Sequence, residues 1–354
     1  MTLAASAMRG ALAFLLLPLS LVPLYFAIPK IRTEAAAVSG PDRAALGAPE
    51  IDLSKAQLAR WAPLPPIKGA VPVLAYHGIN DRADHYSLTQ ERFAEQMAML
   101  DRAGFETISA AEYVRFLHGQ TAGLPERPIL LTFDDGRLDS YRGADKVLAK
   151  YGFKATMFVI AGNVEESNPF YLTWDELRGM ASSRRWDLQE HAGVGHVNVR
   201  YDAAGHEGPA YAFRQYHDGR LETFGQFKRR VEEDVLWAKR TLSEELPGFS
   251  PLTFAVPFGS YGQDRTNDAR IPQFMSRLLR RHFQAVFLTD PPKYTKPSTP
   301  RAALGRIELN ADIGADKLYR WLRERIPSRR APGGPVARPA VEQGVSGASS
   351  QARG

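Results

Sequence analysis

Ile129-Leu-Leu-Thr-Phe-Asp-Asp-Gly136 decides the reading of this chain. An apolar run ends in two adjacent carboxylates and a glycine. That is the order of a buried strand that presents Asp134 and Asp135 at its carboxyl end. Parallel sheets of α/β proteins carry their chemistry at that end. Two neighbouring acids at the mouth of a core are costly unless a cation or a reaction uses them.

Outward from this strand, strand-like and helix-like segments alternate. Val71–Ala75, Phe105–Ile108, Ala155–Ile160, Trp186–Glu190, Thr253–Phe258, Ala285–Thr289 and Arg306–Leu309 read as further strands. Thr89 caps a helix over Gln90–Ala103, and Ser109-Ala-Ala-Glu112 and Thr173-Trp-Asp-Glu176 are capping boxes. A helix is expected from about Ser140 to Tyr151, a long one from Phe224 to Leu246, and a last one from Ala311 to Ile326. Such alternation implies an α/β fold with a parallel sheet or barrel, of six to eight strands on this count. Val197–Leu221 lacks a clear period and reads as a long insertion on the active-site side.

The chain has 354 residues, 44% hydrophobic and 24% charged, as in globular proteins. Its formal charge of +6 is partly local: four arginines and one acid after Ser328 leave +3 for the rest. That is too little to argue for nucleic acid. The absence of cysteine excludes disulfides, thiolate zinc sites and a cysteine nucleophile. Gly10–Pro29 is uncharged and apolar, and about 20 such residues can span a bilayer. Residues 1–34 therefore read as a membrane anchor or signal segment, with Ala35-Ala36-Ala37 as a possible cleavage point. Residues 35–68 read as an Ala/Pro-rich linker with one helical turn, 69–327 as the catalytic domain, and 328–354 as a disordered tail.

Three further stretches carry chemistry. In Glu190-His-Ala-Gly-Val-Gly-His196, two histidines five apart follow a strand, and two glycines let the loop turn both imidazoles to one point. With one carboxylate from Asp134 or Asp135 they make three ligands with open positions, the arrangement of a catalytic zinc site. The plainer alternative is a hydrogen-bonded histidine pair in a surface loop. In Thr253-Phe-Ala-Val-Pro-Phe-Gly-Ser-Tyr261, a strand runs into a tight turn at Pro257 and Phe258, suited to walling a pocket. Val73-Leu-Ala-Tyr-His-Gly78 puts Tyr76 and His77 at the end of the first strand.

Together these residues resemble the polysaccharide deacetylases of carbohydrate esterase family 4, the NodB-like domain. Thr132-Phe-Asp-Asp-Gly136, His191…His196 and Ala255-Val-Pro-Phe258 are similar to its first three motifs. Leu74-Ala-Tyr-His77 and Ala155-Thr-Met-Phe158 look most like the branch acting on poly-β-1,6-N-acetylglucosamine of biofilm matrices. The resemblance implies a distorted (β/α)7-type barrel, a divalent metal, usually zinc, and an extracytoplasmic polysaccharide substrate. Carried over, it makes Asp135, His191 and His196 the metal ligands and Asp134 the general base. The backbone N–H of Phe258 becomes an oxyanion donor, with Tyr76, Pro257 and Tyr261 beside the substrate. Tyr76, Trp174 and Tyr261 then become candidates for stacking on sugar rings, and for Trp174 core packing is the stronger reading. Chitin oligomers or peptidoglycan are alternative substrates, and a barrel that binds polysaccharide without turnover is the non-enzymatic alternative. Two departures stand out. Ala255 occupies the position of the arginine that pairs with the base. Ile307-Glu-Leu309 occupies the place of the histidine that protonates the leaving amine, which leaves His77 or a metal-bound water as the proton source.

Overall fold

The computed structural model describes residues 52–81, 85–164, 168–289 and 294–326. Gly10–Pro29 and the tail after Ser328 lie outside them. No helix among the described residues is long and apolar enough to cross a membrane.

Eight strands follow one another through the main sheet. In spatial order they are Leu304–Gly305, Ala285–Leu288, Thr253–Ala255, Trp186–Glu190, Ala155–Val159, Pro128–Phe133, Val73–Tyr76 and Ile307–Glu308. Every pairing along this path is parallel. A short strand, Glu106–Thr107, adds to Pro128–Phe133 off the path. The first and last strands of the order are separated in sequence by Arg306 alone. The sheet thus returns on itself at that residue, and the barrel is nearly closed. Helices flank the strands where the capping boxes place them: Ser109 and Thr173 each accept from the third residue of their helix.

Side-chain alternation sorts the strands into two faces. Ile129, Leu131 and Phe133 pack with Phe93 and Met97 of the Gln90–Arg102 helix. Leu130 belongs instead with Phe158, Ala255, Phe287 and Leu304, the interior of the barrel. Continuing the count, Thr132 and Asp134 share the interior face. On the first strand, Leu74 and Tyr76 face the helices, which leaves His77 on the interior side with Asp134. The insertion is more ordered than its composition suggests. It forms two small antiparallel ribbons, Asn198–Arg200 with Glu207–Pro209 and Tyr216–His217 with Arg220–Leu221. Between them Ala210–Phe213 are buried against the Phe224–Glu245 and Ile271–His282 helices.

The stretch before Gly69 does not run free as a linker would. After one helical turn, Lys55–Leu58, the exposure pattern of Trp61–Ala70 repeats every three residues, with Trp61, Leu64, Ile67 and Ala70 buried. Pro63, Pro65 and Pro66 favour an extended backbone, and the rod ends at Gly69, whose φ is 68°. One edge of that rod lies on the barrel's helix layer. Trp61 donates its indole N–H to Asp316 at 2.8 Å, tying the segment to the last helix, Ala315–Arg325. Truncating a buried tryptophan costs about 3–5 kcal/mol. Trp61→Ala is therefore expected to lower the urea midpoint strongly, and Trp61→Phe, which keeps the packing, far less. Equal midpoints for wild type and Trp61→Ala would show that the rod is not part of the folded unit.

Candidate active site

Asp134 and Asp135 leave the barrel strand on successive residues and point to different partners. Asp134 ends the interior row and is buried. Asp135 adopts a left-handed backbone, φ 76°, and so turns its carboxylate across the mouth. Ala192 and Phe258 are also left-handed, at φ 85° and 56°. Three of the five left-handed non-glycine residues among those described thus lie where three loops converge, and such strain recurs at functional sites.

The three loops bring Asp135, His191 and His196 together. Asp135 Oδ1 lies 3.5 Å from Nε2 of His191 and 3.5 Å from Nε2 of His196. All three ligand atoms fall within 4.8 Å of one another. Tetrahedral bonds of about 2.1 Å give ligand–ligand edges of about 3.4 Å, so the two Asp135 edges suit a small divalent ion, while the set as a whole reaches 4.8 Å. Asp135 Oδ1 is buried and has no hydrogen-bond partner among the described residues, as an atom reserved for a cation would be. His191 Nδ1 lies 2.8 Å from the carbonyl of Ala255. Donation to that carbonyl puts the proton on Nδ1 and leaves Nε2 with a lone pair toward Asp135. Ala255 thus contributes through its backbone at the position where an arginine was expected. His196 packs on the Phe258 ring, with centroids 4.4 Å apart.

Electrostatics separates these groups. Burial pushes the Asp134 carboxyl up, but Arg306, His191 and His77 outweigh it and hold it below the usual carboxylate range. Asp135 is lowered in the same way, with burial opposed by His191, His196 and His77. For His191 burial favours the neutral ring, yet the two carboxylates win and raise its pKa. Burial and the neighbouring His191 bring His196 down to about 4, so it is neutral at ordinary pH and able to ligate.

The partner of Asp134 is Arg306, which the sequence reading had placed only as the start of a strand. Its guanidinium is buried and bidentate: NH1 donates to Oδ1 and NH2 to Oδ2, each at 2.7 Å. NH1 also meets Thr132 Oγ1 at 3.2 Å, and Nε meets the Leu288 carbonyl at 3.4 Å. The Phe158 and Phe287 rings flank it, 5.6 and 6.0 Å from Cζ. The one available signal was a lone arginine in the apolar run Leu304-Gly-Arg-Ile307. His77 completes the group, with Nε2 4.0 Å from Asp134 Oδ2 and a partly exposed ring. Its Nδ1 has no partner among the described residues. His282, a histidine later in the chain, is not part of this group: it ends the Ile271–His282 helix, and its charged neighbours are Lys239, Arg281 and Glu232.

Two proposed sugar contacts need correction. Tyr76 is fully buried on the helix side of its strand, its ring 5.1 Å from Phe133 and its hydroxyl 2.9 Å from Gln96. Strand alternation that turns His77 inward turns Tyr76 away. Tyr261 is also buried, donating to the Ala302 carbonyl at 3.2 Å. Pro257 is buried at the start of a 3-10 turn, while Phe258 beside it is 45% exposed and packs its ring on His196. The Phe258 N–H has no acceptor among the backbone hydrogen bonds of this turn. Trp174 packs against the core at the first position of its helix.

Residues 121–272 match the polysaccharide deacetylase family model. The chain is 25% identical over 204 residues to the poly-beta-1,6-N-acetyl-D-glucosamine N-deacetylase of Escherichia coli K12, an overlap of 52% of this chain and 30% of that protein. It is 31% identical over 111 residues to the enzyme of the same name from Staphylococcus aureus, covering 30% of this chain and 37% of that one. The chain thus spans less than half the length of these relatives. Among solved structures, a de-N-acetylase from Aggregatibacter actinomycetemcomitans superposes with a TM-score of 0.62 at 20% identity, over 71% of this chain and 99% of that one. This likeness is one of fold. IcaB from Ammonifex degensii gives 0.56 at 25% identity, over 73% and 98%. Barrel, residue set and relatives agree that the chain carries a polysaccharide deacetylase domain, matched over residues 121–272.

Proposed function

We propose that this chain hydrolyses N-acetyl groups from an N-acetylglucosamine polymer of the poly-β-1,6-linked kind, releasing acetate and leaving free amines. The observation that carries the reading is the Asp135–His191–His196 triangle beside a second carboxylate that belongs to Arg306. A pure binding surface has no need of that pairing. The similarity to poly-beta-1,6-N-acetyl-D-glucosamine N-deacetylases supports the choice of polymer.

In this reading Asp135, His191 and His196 hold a divalent cation, zinc by the chemistry of two imidazoles and one carboxylate. Such a cation would polarise the acetamide carbonyl and make a water acidic enough to attack it. Asp134 takes the proton of the attacking water. Arg306 keeps it ionised and aimed, since both carboxylate oxygens are fixed by one planar fork. The Phe258 N–H faces the charge that develops on the carbonyl oxygen. His77, 4.0 Å from Asp134 Oδ2, gives a proton to the departing amine. The apolar segment Gly10–Pro29 would deliver the barrel to the outer side of the membrane, where such polymers lie.

The test is acetate release from a panel of defined polymers. Activity on the β-1,6-linked polymer, abolished by chelator and restored by zinc, is the expected result. Asp134→Asn is expected to lower kcat by at least a hundredfold, in line with the loss of a general base. His77→Ala should slow release and remove the alkaline limb of the pH–rate profile. A chelator-resistant activity, or none on any N-acetylglucosamine polymer, would contradict the proposal. Arg306 gives a separate prediction. Arg306→Met leaves a buried charge unpaired, which costs about 3–5 kcal/mol. Arg306→Lys keeps the charge and loses the fork, so it should fold better than Arg306→Met and still lose most of kcat.

A further inference from the structure

The His191–His196 loop is held from outside the site by a carboxylate of the Phe224–Glu245 helix. Asp234 accepts three consecutive backbone N–H groups: Gly193 to Oδ2 at 3.1 Å, Val194 to Oδ1 at 2.7 Å and Gly195 to Oδ2 at 3.1 Å. Successive N–H groups converging on one anion form a nest, here with a side chain of the same protein as the anion. Tyr211, from the insertion, adds its hydroxyl to Oδ2 at 2.5 Å. On the loop's other side, the N–H groups of Ala161 and Gly162 donate to the carbonyls of Ala192 and Gly193, each at 3.0 Å.

The two glycines are what this approach requires. A Cβ on Gly193 would stand 2.6 Å from Asp234 Oδ1, and one on Gly195 would stand 2.7 Å from Oδ2 and 2.4 Å from the Tyr211 ring. Neither glycine has a positive φ, so close approach to Asp234 and its neighbours, and not backbone freedom, is their role. His191 is fixed independently, by Val159 through its backbone and by Ala255 through its ring. His196 is reached from it only through the clamped segment.

We propose that Asp234, braced by Tyr211, is a positioning residue that presets His196 against Asp135 and so builds the metal site before the metal arrives. The proposal rests on the metal reading above and adds to it a helix and an insertion that carry none of the ligands. Replacing the carboxylate by an amide puts an NH2 group against one of the loop's N–H donors, so the nest loses an acceptor with little change in volume.

The experiment compares the whole chain with Asp234→Asn, Tyr211→Phe and, as a control on an exposed position of the same helix, Glu233→Gln. Zinc affinity is read by chelator competition, and amide exchange of the metal-free loop by mass spectrometry. Outer partners of metal ligands are worth about 10–100-fold in metal affinity. Asp234→Asn is expected to weaken zinc binding within that range and to speed exchange across Gly193–Gly195. Excess zinc should recover much of its kcat, which a general folding defect would not allow. Tyr211→Phe should shift both readouts in the same direction by less, and it carries the test if Asp234→Asn does not fold. Glu233→Gln should match wild type. Zinc affinity and loop exchange within twofold of wild type in the Asp234 and Tyr211 variants would overturn the proposal and leave the metal site standing. A wild-type chain that binds no zinc would overturn both.

Discussion

The buried fork between Arg306 and Asp134 is the interaction on which the rest of the molecule depends. Placing two charges inside a barrel is unfavourable unless each is fully satisfied. Here the guanidinium meets both carboxylate oxygens, a threonine hydroxyl and a backbone carbonyl, between two phenylalanine rings. Arg306 also occupies the point where the two ends of the sheet meet, between Leu304–Gly305 and Ile307–Glu308. Closing the barrel and fixing the candidate base are therefore one event. A strand that failed to dock there would leave Asp134 buried and alone.

Around this pair the barrel divides the labour of adjacent acids by geometry. Asp134 continues the interior alternation of Leu130 and Thr132 and stays with Arg306. Asp135 breaks from it through a left-handed backbone and reaches the histidines. One residue of sequence separation thus gives two environments. The cost of the strained turn is offset where the contacts are made, and the histidine loop opposite is held by carbonyls on one side and Asp234 on the other.

Much of this was legible in the chain because it is local. An apolar run ending in Thr-Phe-Asp-Asp-Gly, capping boxes at Ser109 and Thr173, and glycines between His191 and His196 each state their structure within a few residues. What was not legible is long-range. Ala255 suggested a base without a partner, yet the partner comes from Arg306, 172 residues after Asp134. Only sheet closure brings the two together. Tyr76 and His77 are equally polar-tipped neighbours at the end of a strand buried on both faces, and nothing local says which one turns inward. Tyr261 is near the turn in sequence, whereas packing takes its hydroxyl to Ala302. In Trp61–Ala70 the prolines resemble a tether, yet the apolar residues at every third position pack the segment onto the barrel's helix layer.

The proposed division gives one acid of the pair to a metal and the other to an arginine. A crystal structure of the zinc-soaked protein, with anomalous data at the zinc edge, separates the two roles. A single strong peak is expected within about 2.0–2.2 Å of Asp135 and of Nε2 of His191 and His196. Asp134 should remain off the metal and bidentate to Arg306. A peak ligated by Asp134, or no peak among these residues, would contradict it.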